Sequence, residues 1–538
     1  MSPLPQRDRL AEYALKGLHL GLRQVGLAPE QVVARRLRQE AKSLEPATGR
    51  RVAILTMRDW AVHVQWEAMV GQALRVRGAR VTFVTCGGGL EQCDRVNFYE
   101  GPPMPCTTCS RYVHGSVDAH GFSHVGIRGG WTRDDPGNWP ELDGMSLDEL
   151  LQVEDEGLPL GELVSIPLRW FLLASRIEDD PMAALTARRF LRSARRAARG
   201  LRVTLDEIRP ETVLMLNGRF FFESIAGAIC RSRGIDVVIY ERGFILDTWI
   251  FHRRKPDRLL DAADDRPDWD DEPLTAEEDE QLDRYLVDRT HGARTIDRYW
   301  THAEYVDPER PERGRLAVLF TNLTWDSAVL GMEVAFPGIH EWLFAAVDTF
   351  ARRPHDQLLI RVHPAEVKLP GKQTREPLGA YLKLHYGDLP PNVQIVDAED
   401  PLSSYPLMAA ADLGLVYTST TGLEMALRGK PVIVAGRTHY RGKGFTLDVS
   451  SPDEFTNELE RALDDPTAVT PDLDRARRYA YLFFFDAPVG SPGVEEHVPG
   501  LARLTIRSLD DLVPGRNAAV DRICDEILGE RRSGLDGQ

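Results

Sequence analysis

Long apolar runs are missing from this sequence. No stretch approaches about 18 uninterrupted apolar residues, which argues against a membrane-spanning helix. Met1 to Leu10 lack the basic-then-apolar order of a secretory leader, so the expected compartment is the cytosol. Basic residues are in deficit: 66 Lys and Arg against 82 Asp and Glu leave a net charge of −16. A uniformly acidic chain makes a poor nucleic-acid binder, because phosphate contacts dominate that affinity. No internal repeat is evident, which sets aside solenoids and propellers. Against these absences stands an ordinary globular composition, 43% hydrophobic and 28% charged over 538 residues. That is ample for two large α/β lobes.

The charge deficit is concentrated. Between Asp261 and Arg284 there are twelve acids and two arginines, a net of −10 in 24 residues. With Pro267 and Pro273 among them, this reads as a solvated connector, an acidic docking segment or a cation site being the alternatives. The expected division is a helical segment at 1–50, a first lobe at 51–255, the connector at 256–314, a second lobe at 315–470 and a helical tail at 471–538.

Hydrophobic patterning fills in the lobes. Arg51 to Leu55 and Arg80 to Thr85 read as strands bracketing a helix around Trp66 to Val76, a βαβ unit that implies a parallel sheet. Thr212 to Leu216 and Asp236 to Tyr240 bracket a second such helix. Beyond the connector the alternation restarts with strands at Leu316 to Phe320, Gln357 to Val362, Val393 to Val396, Leu413 to Tyr417 and Pro431 to Val434. The fold class expected is α/β, two Rossmann-like lobes with helical insertions and a helical tail.

The most informative segment runs from Tyr417 to Val432. A buried strand ends in Thr418, Ser419, Thr420, Thr421 and Gly422, and a helix begins at once, a natural phosphate cradle. Glu424, just inside that helix, can reach a ribose hydroxyl pair. From Met425 to Leu447 the chain carries Arg428, Lys430, Arg437, Arg441 and Lys443 and no acid, which suits a diphosphate or carboxylate ligand as well as a plain solvated face.

Ser419 to Glu424, Gly429-Lys430-Pro431-Val432 and His439 to Thr446 resemble the capsule polysaccharide biosynthesis family, which includes bacterial Kdo transferases of GT-B architecture. Arg361-Val362-His363-Pro364 is similar to that family's His-Pro turn, and Asn322 with Trp325 and Asp326 to its first donor-lobe loop. The resemblance covers about 315–450. It implies a glycosyltransferase whose donor phosphates meet Ser419, Thr420, Thr421 and Gly422, whose nucleotide ribose meets Glu424, and whose donor lies beside Asn322, Arg361 and His363. Arg437, His439 and Lys443 join the donor-binding candidates, and His363 the catalytic ones. Catalysis without a metal is implied, with a nucleotide sugar and a glycan or glycoconjugate acceptor as partners.

A sugar hydroxyl is a weak nucleophile, so a carboxylate or His from the first lobe is expected to take its proton. Asp59 and His63 follow the first strand at i and i+4, where one carboxylate could orient one imidazole on a shared helix face. Glu241, after another strand, is the second candidate base. Alternative readings are a sugar-nucleotide 2-epimerase and a non-catalytic nucleotide-binding scaffold subunit.

Two features stand apart. Cys86, Cys93, Cys106 and Cys109 lie in one window, and a Cys-x2-Cys pair with two more thiolates could complete a structural zinc site or hold an iron–sulfur cluster. Unliganded thiols are the alternative, and His114, His120 and His124 are possible substitute ligands. Arg188, Arg189, Arg192, Arg195, Arg196, Arg199 and Arg202 form a basic stripe at helical spacing. It reads as a solvated face or one paired with acids elsewhere in the chain, or else as a surface for an anionic glycan or the inner face of a membrane.

Overall fold

The computed structural model describes residues 6–529 other than 25, 102, 131–138, 254–260, 292–303, 370 and 499. Near-continuous apolar runs become strands buried on both faces. β1 (Arg51–Thr56), β2 (Arg80–Thr85), β3 (His124–Gly126), β4 (Thr212–Leu216) and β5 (Asp236–Arg242) are parallel neighbours in the order β3-β2-β1-β4-β5. β6 (Thr248–Arg253) pairs antiparallel with β5. Helices cover both faces, which is why every residue of β4 is buried and no strand alternates polar with apolar cleanly.

The second lobe repeats the plan. β7 (Leu316–Phe320), β8 (Gln357–Arg361), β9 (Val393–Val396), β10 (Leu413–Val416), β11 (Val432–Val434) and β12 (Leu447–Asp448) form one parallel sheet in the order β9-β8-β7-β10-β11-β12. In each sheet the order reverses beside the lobe's first strand, between β1 and β4 and between β7 and β10. Ligands of open α/β sheets sit at the carboxyl ends of the strands at that reversal. The expected α/β class with two Rossmann-like lobes is the fold the chain adopts.

The acidic stretch departs from the expected solvated connector. Its helix Ala276–Thr290 starts on a Thr275–Glu278 capping box and buries Leu282 and Tyr285 against the second lobe. Asp270 pairs with Arg475 and Arg478, Asp279 and Asp283 with Arg477, and Asp261 with Lys443 at 2.8 Å. Four of the stretch's twelve acids therefore meet cations of 443–478. Composition alone cannot show such distant partners.

The tail is also more than helical. Leu473–Tyr481 and the π-turn Leu482–Asp486 pack in the second lobe's core. The chain then crosses back, β13 (Val489–Gly490) joins β6 at the edge of the first sheet, and β14 (Val494–Val498) and β15 (Leu501–Leu504) form a hairpin. That hairpin and helix Ala518–Leu528 pack into the first lobe's core with helix Ala61–Val76. Residues 471–529 thus belong to both lobes. Among the described residues no helix is long and apolar enough to cross a membrane.

Candidate functional site

At the β7/β10 reversal lies a pocket of about 460 Å³, lined by Asn322, Asp326, Arg361, His363, Ser419, Thr420, Thr421 and Glu424 among others. The two central loops are tied together, since the backbone N–H of Thr418 donates to Asn322 Oδ1 at 3.3 Å. Ser419 Oγ accepts from the backbone N–H of Thr421 (3.3 Å) and lies 2.9 Å from Thr421 Oγ1, a hydroxyl turn that sets the local backbone. Gly422 serves packing. A Cβ there would collide with the Tyr440 hydroxyl, which donates to Ser419 O at 2.6 Å, so the glycine faces that ring and does not line the pocket.

His363 is held in a definite state. Thr321 Oγ1 accepts from its backbone N–H at 2.9 Å, and its Nδ1 accepts from the N–H of Ala365 at 3.2 Å. Nε2 then carries the ring proton. Burial lowers its pKa to about 4, against a partial offset by Asp326. A neutral ring with Nδ1 occupied presents its Nε2–H as a hydrogen-bond donor.

Other expected donor ligands are engaged elsewhere. Arg361, 2% exposed, donates to the carbonyls of Asp397 (2.7 Å) and Asp400 (3.3 Å) and braces the loop after β9. His439 stacks on Phe483 at 3.8 Å between centroids and contacts the Tyr479 hydroxyl. Lys443 pairs with Asp261, and Arg437 is exposed. None of Arg437, His439 and Lys443 lines the pocket, because the turn that carries them packs onto the tail helix.

Glu424 has a partner the sequence did not suggest. Arg289 Nε, from helix Ala276–Thr290, donates to Glu424 Oε1 at 2.9 Å, both side chains being mostly buried at 11% and 5% exposure. Glu424 Oε2 is buried without a hydrogen-bond partner. The carboxylate is oriented by Arg289, with the Tyr405 hydroxyl beside it.

The first lobe contributes Glu241 at the end of β5. It accepts from Asn217 Nδ2 and from the backbone N–H of Arg242, both at 2.9 Å. Burial raises its pKa, those bonds lower it in part, and Asp326 of the facing lobe raises it again.

The expected Asp59–His63 pair is absent. Helix Ala61–Val76 begins after Trp60, so Asp59 lies outside it and the i,i+4 spacing does not apply. Asp59 pairs with Arg95, while His63 packs among Trp60, Tyr240 and Trp249 and is held neutral by burial, its pKa near 3. The nearby loops are locked by Arg58, which makes two bonds of 2.8 Å to each of Asp94 and Glu223, all three buried.

The metal expectation is corrected. Among the described residues no group of three or more His, Cys, Asp or Glu could hold an ion, and all six cysteines are free thiols. Cys86 and Cys93 pack against the apolar core of the first lobe, and burial raises the Cys86 thiol to about 11 and Cys109 to about 12. His114 stacks on His124, and His120 is buried against Gln65. The arginine stripe follows the reading in which it pairs with acids elsewhere in the chain. Six of its seven members bond Glu91, Asp143, Asp155, Glu156 or the carbonyls of Leu142 and Met145, leaving little charge for an external anion.

Most of the pocket's lining lies within the part of the chain that has recognisable relatives. Residues 279–472 match the model of the capsule polysaccharide biosynthesis protein family. The motif resemblance is borne out over this capsule-synthesis segment, which spans the second sheet, Arg289 and the hydroxyl turn. No curated protein matches the chain in sequence. Among solved structures, it is similar to the Thermosulfurimonas dismutans KpsC beta Kdo 2,4 transferase, at 18% identity over 55% of this chain and 84% of that one, TM-score 0.34. The 2,7 transferase of the same protein is similar at 15% identity, over 62% and 90%, TM-score 0.33. The UDP-GlcNAc 2-epimerase from Neisseria meningitidis is similar at 10% identity, over 80% and 96%, TM-score 0.26. Likenesses this distant carry no argument about activity. A second cleft of about 730 Å³ runs between the lobes, from Arg169 and Arg176 past Arg219 to Glu333 and Tyr417.

Proposed function

We propose that the chain is a glycosyltransferase of polysaccharide assembly, moving a sugar from a nucleotide-activated donor to a glycan hydroxyl. The observation that carries this reading is the convergence of the Ser419–Thr421 turn, the Nε2 donor of His363 and the carboxylate of Glu424 in one pocket of the capsule-synthesis segment. Neutral donors of this kind suit phosphate oxygens, and a carboxylate oxygen suits a ribose diol. The 730 Å³ cleft, with four arginines and four glutamates in its lining, suits a polyhydroxylated acceptor, and its Gly218 and Arg219 directly follow Asn217, the partner of Glu241.

The chemistry then follows. Glu241 takes the proton of the acceptor hydroxyl as its oxygen bonds to the anomeric carbon. The bond from that carbon to the donor phosphate breaks, and the phosphate leaves with the electron pair. His363 and the Ser419–Thr421 turn donate to the oxygens where charge builds. A raised Glu241 pKa improves it as a base near neutral pH.

A thermal-shift panel of nucleotides and nucleotide sugars tests the reading. One nucleotide family is expected to stabilise the wild type and to lose most of that effect in Ser419→Ala/Thr421→Ala. A flat panel contradicts it. Inversion at a donor carbon without acceptor points to the epimerase instead.

A further inference from the structure

Lys372 stands on a stretch of the second lobe that reaches over the first. Asn97 Nδ2 donates to Gly371 O at 2.8 Å, and the backbone N–H of Arg375 donates to Leu173 O at 3.0 Å. The Arg375 side chain pairs with Asp180 and lies over the Phe98 ring, 3.9 Å from its centroid. Trp325 Nε1 donates to Thr374 Oγ1 at 2.9 Å, which ties the stretch to the loop after β7. Between these anchors the Lys372 ammonium sits 4.0 Å from the centroid of the Trp170 ring, and both residues line the 460 Å³ pocket.

The pocket's cations differ in what already holds them. Glu424 engages Arg289, and the carbonyls of Asp397 and Asp400 engage Arg361. Lys372 has no carboxylate within ion-pair distance among the described residues, so its partner is a ring face. An aromatic face is a weaker partner for an ammonium than a phosphate oxygen. An anion entering the pocket therefore draws this cation more readily than it draws either arginine.

We propose that Lys372 binds the phosphate of the nucleotide donor, passing from the Trp170 ring to the anion when the pocket fills. This rests on the glycosyltransferase reading above and adds to it a first contact with charge, supplied by a segment that also links the lobes. Burial supports the assignment by lowering the Lys372 pKa to about 8, with Glu100, Asp326 and Asp94 favouring the charged form and Arg95 opposing it. A bound phosphate restores the charge that burial disfavours.

Titration calorimetry with the full chain tests this, using cytidine and uridine against CMP and UDP, on wild type, Lys372→Gln and Lys372→Arg. The wild type is expected to bind the phosphorylated form about 10- to 100-fold more tightly than its nucleoside. Lys372→Gln should lose most of that increment at unchanged nucleoside affinity, and Lys372→Arg should keep it. The wild-type increment should shrink as pH rises through about 8, while that of Lys372→Arg holds. An increment intact in Lys372→Gln overturns the proposal, as does equal weakening of nucleoside and nucleotide, the mark of a structural role. If the thermal-shift panel identifies another base, its nucleoside and nucleotide replace these pairs, and a wild type that binds no nucleotide of the panel overturns the glycosyltransferase reading itself, a result distinct from either.

Discussion

Breaking the buried Arg289–Glu424 pair should cost the second lobe more than any other single exchange at the site. The contact is 2.9 Å and the side chains are 11% and 5% exposed. With charge centres about 4 Å apart and an effective dielectric near 20, the attraction is about 4 kcal/mol. Arg289→Met leaves the Glu424 carboxylate buried and uncompensated, a loss of about 3–5 kcal/mol. Arg289→Met/Glu424→Leu removes both charges and should recover much of it, because apolar replacement of a buried pair is often near neutral. Urea unfolding of wild type, both single variants and the double variant gives the coupling, expected at about 2–4 kcal/mol. Additivity within about 0.5 kcal/mol would refute the argument, since uncoupled residues add to that tolerance.

Other consequences are as specific. Gly422→Ala should destabilise by about 1–3 kcal/mol through overpacking against Tyr440, and Gly422→Ala/Tyr440→Phe should recover part of the loss in the same urea assay. Arg58→Met strands Asp94 and Glu223 and should lower stability by about 3–5 kcal/mol, with circular dichroism melts as the check. Glu67, buried with bonds from Thr56 and Tyr240, has its pKa raised from 4.5 to about 8, chiefly by desolvation. A folded value above the unfolded one means that its stabilising contribution is whole below pH 4.5 and is lost as pH rises through about 8. Stability measured from acid to mildly alkaline pH should therefore fall more steeply in wild type than in Glu67→Gln. Glu241→Gln should lower turnover by about 100- to 10,000-fold with nucleotide affinity retained, as measured by initial rates and calorimetry.

The sheets were legible because their strands are short apolar runs separated by helices, a pattern that reads directly as parallel α/β. The hydroxyl turn was legible for the same reason, being local: strand, turn and helix are contiguous from Tyr417 to Glu424. What the sequence hid depends on distant partners. Lys443 reads as a free cation until Asp261 arrives from 182 residues away. That the arginine stripe could pair with acids was legible, but its partners Glu91, Asp143 and Glu156 were not, since they lie 46 to 101 residues away in the chain. Lys372 carries no local signal, and only the crossing of 369–376 onto the first lobe brings it to the pocket. Asp59 and His63 failed on helix phase, since the helix begins two residues after Asp59.

The central claim is a transfer between Glu241 and the Ser419–Thr421 pocket. It is tested most directly by following nucleotide release and glycan mass together, with the stabilising nucleotide sugar supplied with and without a glycan acceptor. The account predicts nucleotide release that depends on acceptor, a glycan heavier by one sugar residue, and loss of both in Glu241→Gln. Release without a heavier glycan, or full transfer by Glu241→Gln, would contradict it.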